Sequence, residues 1–328
     1  MLPRRALSAL LPAFLPGLTL SRHARAADAW RIVTEYPATA MPGEGIAHFA
    51  EAATRLSAGA LTVAPGFDAP DGLRSAAMIR AAAEGRVQAT DAFTGPLAAE
   101  APIFALSALP FLTASAEDTA RLLRVARPAY AGALESRGVT LLYATPWPAS
   151  GLWSRHPITG PEALRGLKIR TYDAASTAVM QRAGAAPSQI SFADAMPRLR
   201  SGEMDAVLSS GDGGAGARLW EILPHFTVLD YASPLSLAFC NTAALRALPA
   251  PARDAVARAA QETEARQFRA IGTRLAENEA RMRANGVTLA SGAPLRAALG
   301  GAAEPVIAEW ASRAGAEGQA ILSAYRAG

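Results

Sequence analysis

The chain has 328 residues, 51% of them hydrophobic and 18% charged, which is too apolar for a disordered polymer and long enough for about two domains. It has 32 basic residues, only one of them a lysine (Lys168), against 28 acidic ones. A formal charge of +4 would suit a nucleic-acid partner only if that charge were spread over the folded part. The single cysteine, Cys240, excludes internal disulfides, CxxC redox pairs and cysteine-based metal clusters.

The first segment accounts for the charge. Met1–Arg5 is a short basic start, Ala6–Leu20 an apolar run broken by Pro12, Pro16 and Gly17, and Ala24-Arg25-Ala26 offers small residues at signal-peptidase spacing. The run is too short to span a bilayer, so residues 1–26 read as an export signal cut after Ala26. The sequence after Arg4-Arg5 matches a twin-arginine signal poorly, which favours the general export route. Four arginines and no acid lie in 1–26; removing them leaves 28 basic residues against 28 acidic ones. The mature chain is neutral, no nucleic-acid partner is expected, and the compartment is the periplasm.

Trp30–Tyr36 reads as a first strand, stopped by Pro37. Ile46, Phe49, Ala53 and Leu56 recur at helical spacing in a helix from Gly45 to Ser57. Leu61–Ala64 is the next strand and Gly72–Glu84 the next helix. This alternation predicts a mainly parallel sheet covered by helices. Leu106–Phe111 and Leu141–Ala144 are further strand candidates, with a helix between them capped by Ser115. At Pro146-Trp147-Pro148 the texture changes, and the pattern restarts in a second domain. There the strands are Gly166–Arg170, Met204–Leu208, Phe226–Asp230 and Ser236–Asn241, and the helices Ala174–Ala183 and Phe192–Ser201. Pro249 and Pro251 introduce the longest helix, Ala252–Ala284, ended by Asn285-Gly286; it would run roughly 50 Å, long enough to lie across two domains. The expected division is domain I at 27–148 plus about 240–275 and domain II at 149–239 plus about 276–328, with a cleft between them.

Gly211-Asp212-Gly213-Gly214-Ala215-Gly216 fits G-x-G-x-x-G after a strand, with Asp230 at the distance of a ribose-binding acid. This would make the chain an exported α/β enzyme holding a phosphate or nucleotide, but export to a compartment poor in nicotinamide cofactors and the motif's place deep in the chain argue against it. No G-x-S-x-G, H-E-x-x-H or P-loop is present, the three histidines of the mature chain are scattered, and Cys240 sits in an apolar strand. No catalytic residue, metal site or cofactor is expected.

Ala163-Leu164-Arg165-Gly166-Leu167-Lys168-Ile169-Arg170 resembles the D-L-K-G-L-K-I-R signature of the DctP-type solute-binding proteins of tripartite ATP-independent periplasmic (TRAP) transporters. Tyr36-Pro37, Phe49-Ala50, Leu109-Pro110-Phe111, Gly184–Pro187, Ser201–Ala206 and Leu219-Trp220-Glu221 follow in that family's order. The resemblance implies a periplasmic-binding-protein-like α/β fold, with two domains joined by hinge strands and a long spanning helix. It also implies a monomeric receptor that closes on a carboxylate and delivers it to membrane permease subunits; a ligand-sensing adaptor would use the same fold. Arg170 matches the family's carboxylate-binding arginine, a role suited to the planar two-point pairing of a guanidinium. Phe192 matches a ligand-packing aromatic and Ser209 a polar position; Ser210 adjoins it. Where many members carry a second arginine this chain has Trp153. With Trp147, Trp153, Tyr172 and Phe192 near the crossing, and Tyr36 a further ligand-binding candidate, the pocket is expected to be aromatic, with one charged anchor, and to favour a monocarboxylate with an apolar or aromatic body.

Overall fold

A computed structural model describes residues 28–327. The export signal and its cleavage site lie outside the described residues. In chain order the elements are β1 (Asp28–Thr34), α1 (Met41–Leu56), β2 (Leu61–Gly66), α2 (Met78–Ala83), β3 (Ala89–Phe93), α3 (Thr94–Leu97), α4 (Ala116–Glu135) and β4 (Val139–Pro146). Next come β5 (Ser150–Ser154), β6 (Lys168–Thr171), α5 (Ala174–Arg182), β7 (Ala186–Gln189), α6 (Phe192–Arg200), β8 (Ala206–Ser210), α7 (Gly211–Gly216) and β9 (His225–Val228). The last are β10 (Leu235–Asn241), α8 (Thr242–Ala247), α9 (Ala250–Ala284), β11 (Thr288–Ser291) and α10 (Ala293–Ala327).

The strands form two sheets, ordered β2-β1-β3-β10-β4 and β11-β9-β5-β8-β6-β7. The β1–β2, β1–β3, β6–β7, β6–β8 and β9–β11 pairs are parallel, as βαβ alternation requires. The strands that carry the chain between sheets, β4, β5 and β10, run antiparallel to their neighbours, so both sheets are mixed. β10 joins the first sheet from Leu235 onward, upstream of the boundary expected at 240. α9 begins against α1 and β4 and ends beside α7 and β11, spanning both sheets. α10 is interrupted at Gly315, which adopts φ +64°; Leu295, Leu299, Ala303 and Val306 pack with the second sheet, whereas Trp310, Leu322 and Tyr325 pack with α4 and the first.

Two expectations change. Leu106–Phe111 is not a strand: Pro102–Ala108 is a run of 3₁₀ turns with Leu106 fully buried, and Phe111 has a left-handed φ of +58°. A short apolar run has no periodicity to separate a strand from a buried helical turn, and here Pro102 and Pro110 bracket it. The expected helix Gly72–Glu84 is regular only from Met78. Its early part is drawn away because the Ser75 backbone N–H and hydroxyl both donate to the Glu35 carboxylate (2.9 and 3.0 Å). Local capping elsewhere follows the sequence: Ser115 Oγ accepts from Asp118 N–H at the start of α4, and Asp173 and Ser176 form a capping box at α5.

Candidate functional site

Arg170 lies on β6 between β8 and β7, with its side chain directed into the space between the sheets. Its neighbours there come from strand ends and helix starts of both sheets. Tyr36, Phe93 and Trp147 follow or end strands of the first; Ser150, Tyr172, Phe192, Ser209, Ser210 and Gly213 belong to the second, and Pro234 precedes β10. Together they line a tight space of about 30 Å³, far below open ligand clefts, which run roughly 300–1,000 Å³.

The Arg170 guanidinium is 4% exposed and has no acidic partner among the described residues. Its Nε donates to the Ile190 carbonyl (2.9 Å) and its Nη1 to the Leu208 carbonyl (3.3 Å), which fixes the plane while leaving other N–H groups unspent. Burial holds its pKa below the ordinary arginine range, with nearby Tyr36 and Glu35 acting in the opposite sense. The cationic carbon sits 5.9 Å from the Tyr172 ring centre and 5.7 Å from that of Phe192, within cation–π range. The rings are chained edge to face: Trp147 on Tyr36 at 4.7 Å, Phe93 on Tyr172 at 5.1 Å, and Phe93 on Trp147 at 6.3 Å. Trp147 is held by its Nε1–H, which donates to Ser236 Oγ (3.0 Å). Ser209, Ser210, Ser150 and the Tyr36 and Tyr172 hydroxyls supply neutral hydrogen-bonding groups, and Arg170 is the one charged side chain of this lining. Burial raises the Tyr36 and Tyr172 hydroxyls well above the ordinary phenol pKa, so both remain protonated donors.

Of the residues expected at the site, Tyr36, Trp147, Arg170, Tyr172, Phe192, Ser209 and Ser210 line this cavity and Trp153 does not. Trp153 is fully buried behind α7, 5.1 Å from the Phe226 ring, with its Nε1–H donating to the Ser210 carbonyl (3.1 Å). The indole lies against the backbone of α7 at Gly214. That contact explains the glycine motif. A Cβ on Gly214 would stand 2.2 Å from Trp153 Cε2, so the residue must be glycine for the indole to fit. The motif is not a phosphate loop before a helix: Gly211–Gly216 is itself α7, Ser210 Oγ accepts the Gly213 N–H (3.1 Å), and the Asp212 carboxylate is committed to the Met41 N–H at the start of α1 (2.8 Å). Asp230, the expected ribose partner, is paired with Arg296. Cys240 is buried and its thiol is pushed up to about 12, leaving it an inert core residue.

Phe93, Ser150 and Pro234 also line the cavity without having been expected there, and Gly213 does so from within the glycine motif. Phe93 ends β3, a five-residue strand that was not anticipated. Ser150 opens β5 opposite Ser210, and alternation from Arg170 through Val207 leads instead to Trp153 and Gly151, so no periodic signal marks it.

Comparison with known proteins agrees with this architecture. The model of the family described as bacterial extracellular solute-binding protein, family 7, matches residues 32–313. Among solved structures, the chain is similar to the Bordetella pertussis extracytoplasmic solute receptor DctP7, which binds pyroglutamic acid, at 26% identity and TM-score 0.88 over 92% of this chain and 100% of that one. It is also similar to a marine metagenome TRAP solute-binding protein specific for pyroglutamate, at 26% identity and TM-score 0.87 over 93% and 100% of the two chains. A Sulfitobacter TRAP periplasmic solute-binding protein with bound β-D-galacturonate shares the fold at 18% identity, TM-score 0.83 and 92% and 100% coverage. Among curated protein sequences there is no match.

Proposed function

Because this chain belongs to family 7 of the bacterial extracellular solute-binding proteins, whose members here are TRAP receptors for small organic acids, we propose that its cavity takes a compact monocarboxylate, with pyroglutamate as the first candidate. The observation that carries this reading is the Arg170 guanidinium, buried without an acidic partner and ringed by Tyr172, Phe192, Tyr36 and Trp147. An unpaired cation enclosed by aromatic faces is costly, and a ligand carboxylate removes that cost by two-point pairing. Closure is thereby tied to the charge of the ligand. The rest of the lining is neutral, so a second carboxylate would be left uncompensated, which disfavours dicarboxylates. The hydroxyls of Ser150, Ser209, Ser210, Tyr36 and Tyr172 suit one amide or hydroxyl group on the ligand body. The aromatic walls suit a compact ring better than a polyhydroxylated sugar acid.

We assign each sheet with its helices to one domain, β10 and the end of α10 going with the first. The receptor is exported by cleavage after Ala26, acts as a monomer without a catalytic residue, and hands its ligand to membrane permease subunits. Calorimetric titration tests the ligand reading. Pyroglutamate and compact branched-chain or aryl acids should bind and stabilise the protein, while succinate, malate and glucuronate should not. Tighter binding of a dicarboxylate or a uronate would overturn it.

A further inference from the structure

Two buried carboxylates flank the cavity without lining it, and each ends on the first turn of a helix from the opposite sheet. Glu35, just after β1, is 4% exposed; its Oε1 accepts the Phe192 N–H (2.9 Å) and the Ala193 N–H (3.4 Å) at the start of α6. Asp212, in α7, is fully buried; its Oδ2 accepts the Met41 N–H (2.8 Å) at the start of α1. The arrangement is reciprocal: the first sheet caps a helix of the second, and the second caps a helix of the first.

Neither helix start has a local substitute. The first free donors of α6 are Phe192 and Ala193, since Ser191 Oγ serves only Asp194 N–H (3.1 Å). α1 begins after Ala40, which has no side-chain acceptor, and its second position is Pro42. Glu35 is fixed on its own side, where Oε2 receives the Ser75 N–H and hydroxyl; Asp212 Oδ1 receives Asn278 Nδ2 (3.2 Å) of α9 with Arg274 Nε at 3.5 Å, and Arg274 also pairs with Glu44 of α1. Each is also the chain neighbour of a lining residue, Glu35 of Tyr36 and Asp212 of Gly213. A third contact across the same boundary, Arg74 to Asp194 at 2.7 Å, is half-exposed and correspondingly weaker.

We propose that Glu35 and Asp212 are paired closure clasps: positioning residues that touch no ligand but hold the ligand-bound form shut and so set part of its affinity. The proposal rests on the receptor reading above. Charge-assisted bonds to a helix start form only when the sheets meet, so their free energy enters the closed state alone. Apparent affinity scales with the fraction of molecules able to close, so removing a clasp weakens binding without altering any contact to the ligand.

The test uses the full mature chain carrying spin labels on introduced cysteines at Arg80 and Arg200, both exposed and on opposite sides of the cavity; native Cys240 is buried and stays unlabelled. Distance distributions are recorded for the protein as purified, after ligand removal by unfolding and refolding, and with added pyroglutamate. Glu35→Gln keeps one oxygen for Ser75 and turns an amide N–H₂ toward α6. It should shift the population toward the long distance and raise the pyroglutamate Kd roughly ten- to hundredfold, while the melting temperature of ligand-free protein stays that of wild type. Asp212→Ala should do the same from the other side. Unchanged distance distributions in both variants would overturn the clasps, as would a wild type that stays open in every condition. A fall in the ligand-free melting temperature equal to that of the liganded protein would mean that the carboxylates only prop the fold. Failure of wild type to bind pyroglutamate, with the variants still opening the purified protein, would overturn the ligand assignment and leave the clasps standing.

Discussion

Replacing Arg170 by methionine isolates the charge at the centre of the cavity from the shape of the site. Methionine fills much of the same volume and packs well against aromatic rings. What it removes is two-point pairing with a carboxylate. A hydrogen bond to a charged group is worth about 1.5–3 kcal/mol, so losing two costs about 3–6 kcal/mol, or roughly 10²- to 10⁴-fold in Kd. The ligand-free protein should respond differently. The substitution leaves the Ile190 and Leu208 carbonyls without their Arg170 donors, at about 1–3 kcal/mol each if they stay dry, but it also relieves a buried unpaired cation. These terms oppose each other, and in the open form water reaches both. The assay is thermal unfolding with and without pyroglutamate, beside calorimetry. Ligand at about 100 times its Kd stabilises wild type by roughly 2.7 kcal/mol and should leave Arg170→Met unmoved, with ligand-free midpoints close together. Retained carboxylate binding within tenfold of wild type would refute the role given to this side chain.

Three further outcomes follow from the packing and the buried acids. Gly214→Ala should destabilise the protein by about 1–3 kcal/mol or more in denaturant titration, because the new methyl collides with an indole that has no free direction to move; a neutral result would mean that α7 can lift from β5. Burial pushes Asp91 up to about 8, well above an ordinary carboxylate near 3.9. Between those values the folded state binds more protons than the unfolded one, so this group lowers stability as pH rises from about 4 to 8. Asp91→Asn should therefore gain on wild type across that window, by at most about 1.4 kcal/mol per pH unit, and an advantage that does not grow with pH would contradict the assignment. Asp173, raised to about 6 mainly by burial, should show the same sign for Asp173→Asn, with the gain levelling off two units earlier.

Much of the fold could be read from the sequence because its signals are local. Ser115 and Asp173 cap their helices through bonds to residues three positions on, and α9 is bounded by Pro249 and Asn285 near where proline and Asn-Gly predicted. Arg170, Phe192 and Ser209 were found through the family motif they match, with Ser210 as the neighbour of Ser209. The rest depends on partners distant in sequence. Glu35 meets Ser75 and Phe192, which are 40 and 157 residues away, and nothing near Glu35 announces either. Trp153 was placed in the pocket because an aromatic residue replaced an expected arginine. The structure puts it behind the pocket, where its size is answered by the absent side chain of Gly214. The G-x-G-x-x-G pattern misleads for the same reason, since spacing alone cannot tell a glycine that admits a phosphate from one that admits a ring.

The route of the chain between the sheets bears on how such a molecule can be built or broken. It passes from one sheet to the other at Pro146–Ser150, at Val228–Leu235, along α9 and along α10. The strand that returns, β10, is no edge addition: it lies between β3 and β4 and bonds to both. A fragment ending before it would expose two unpaired, apolar strand edges and aggregate. The first sheet is therefore no separable N-terminal module. Nascent chain emerging in order must wait for residue 241 before its first sheet can close.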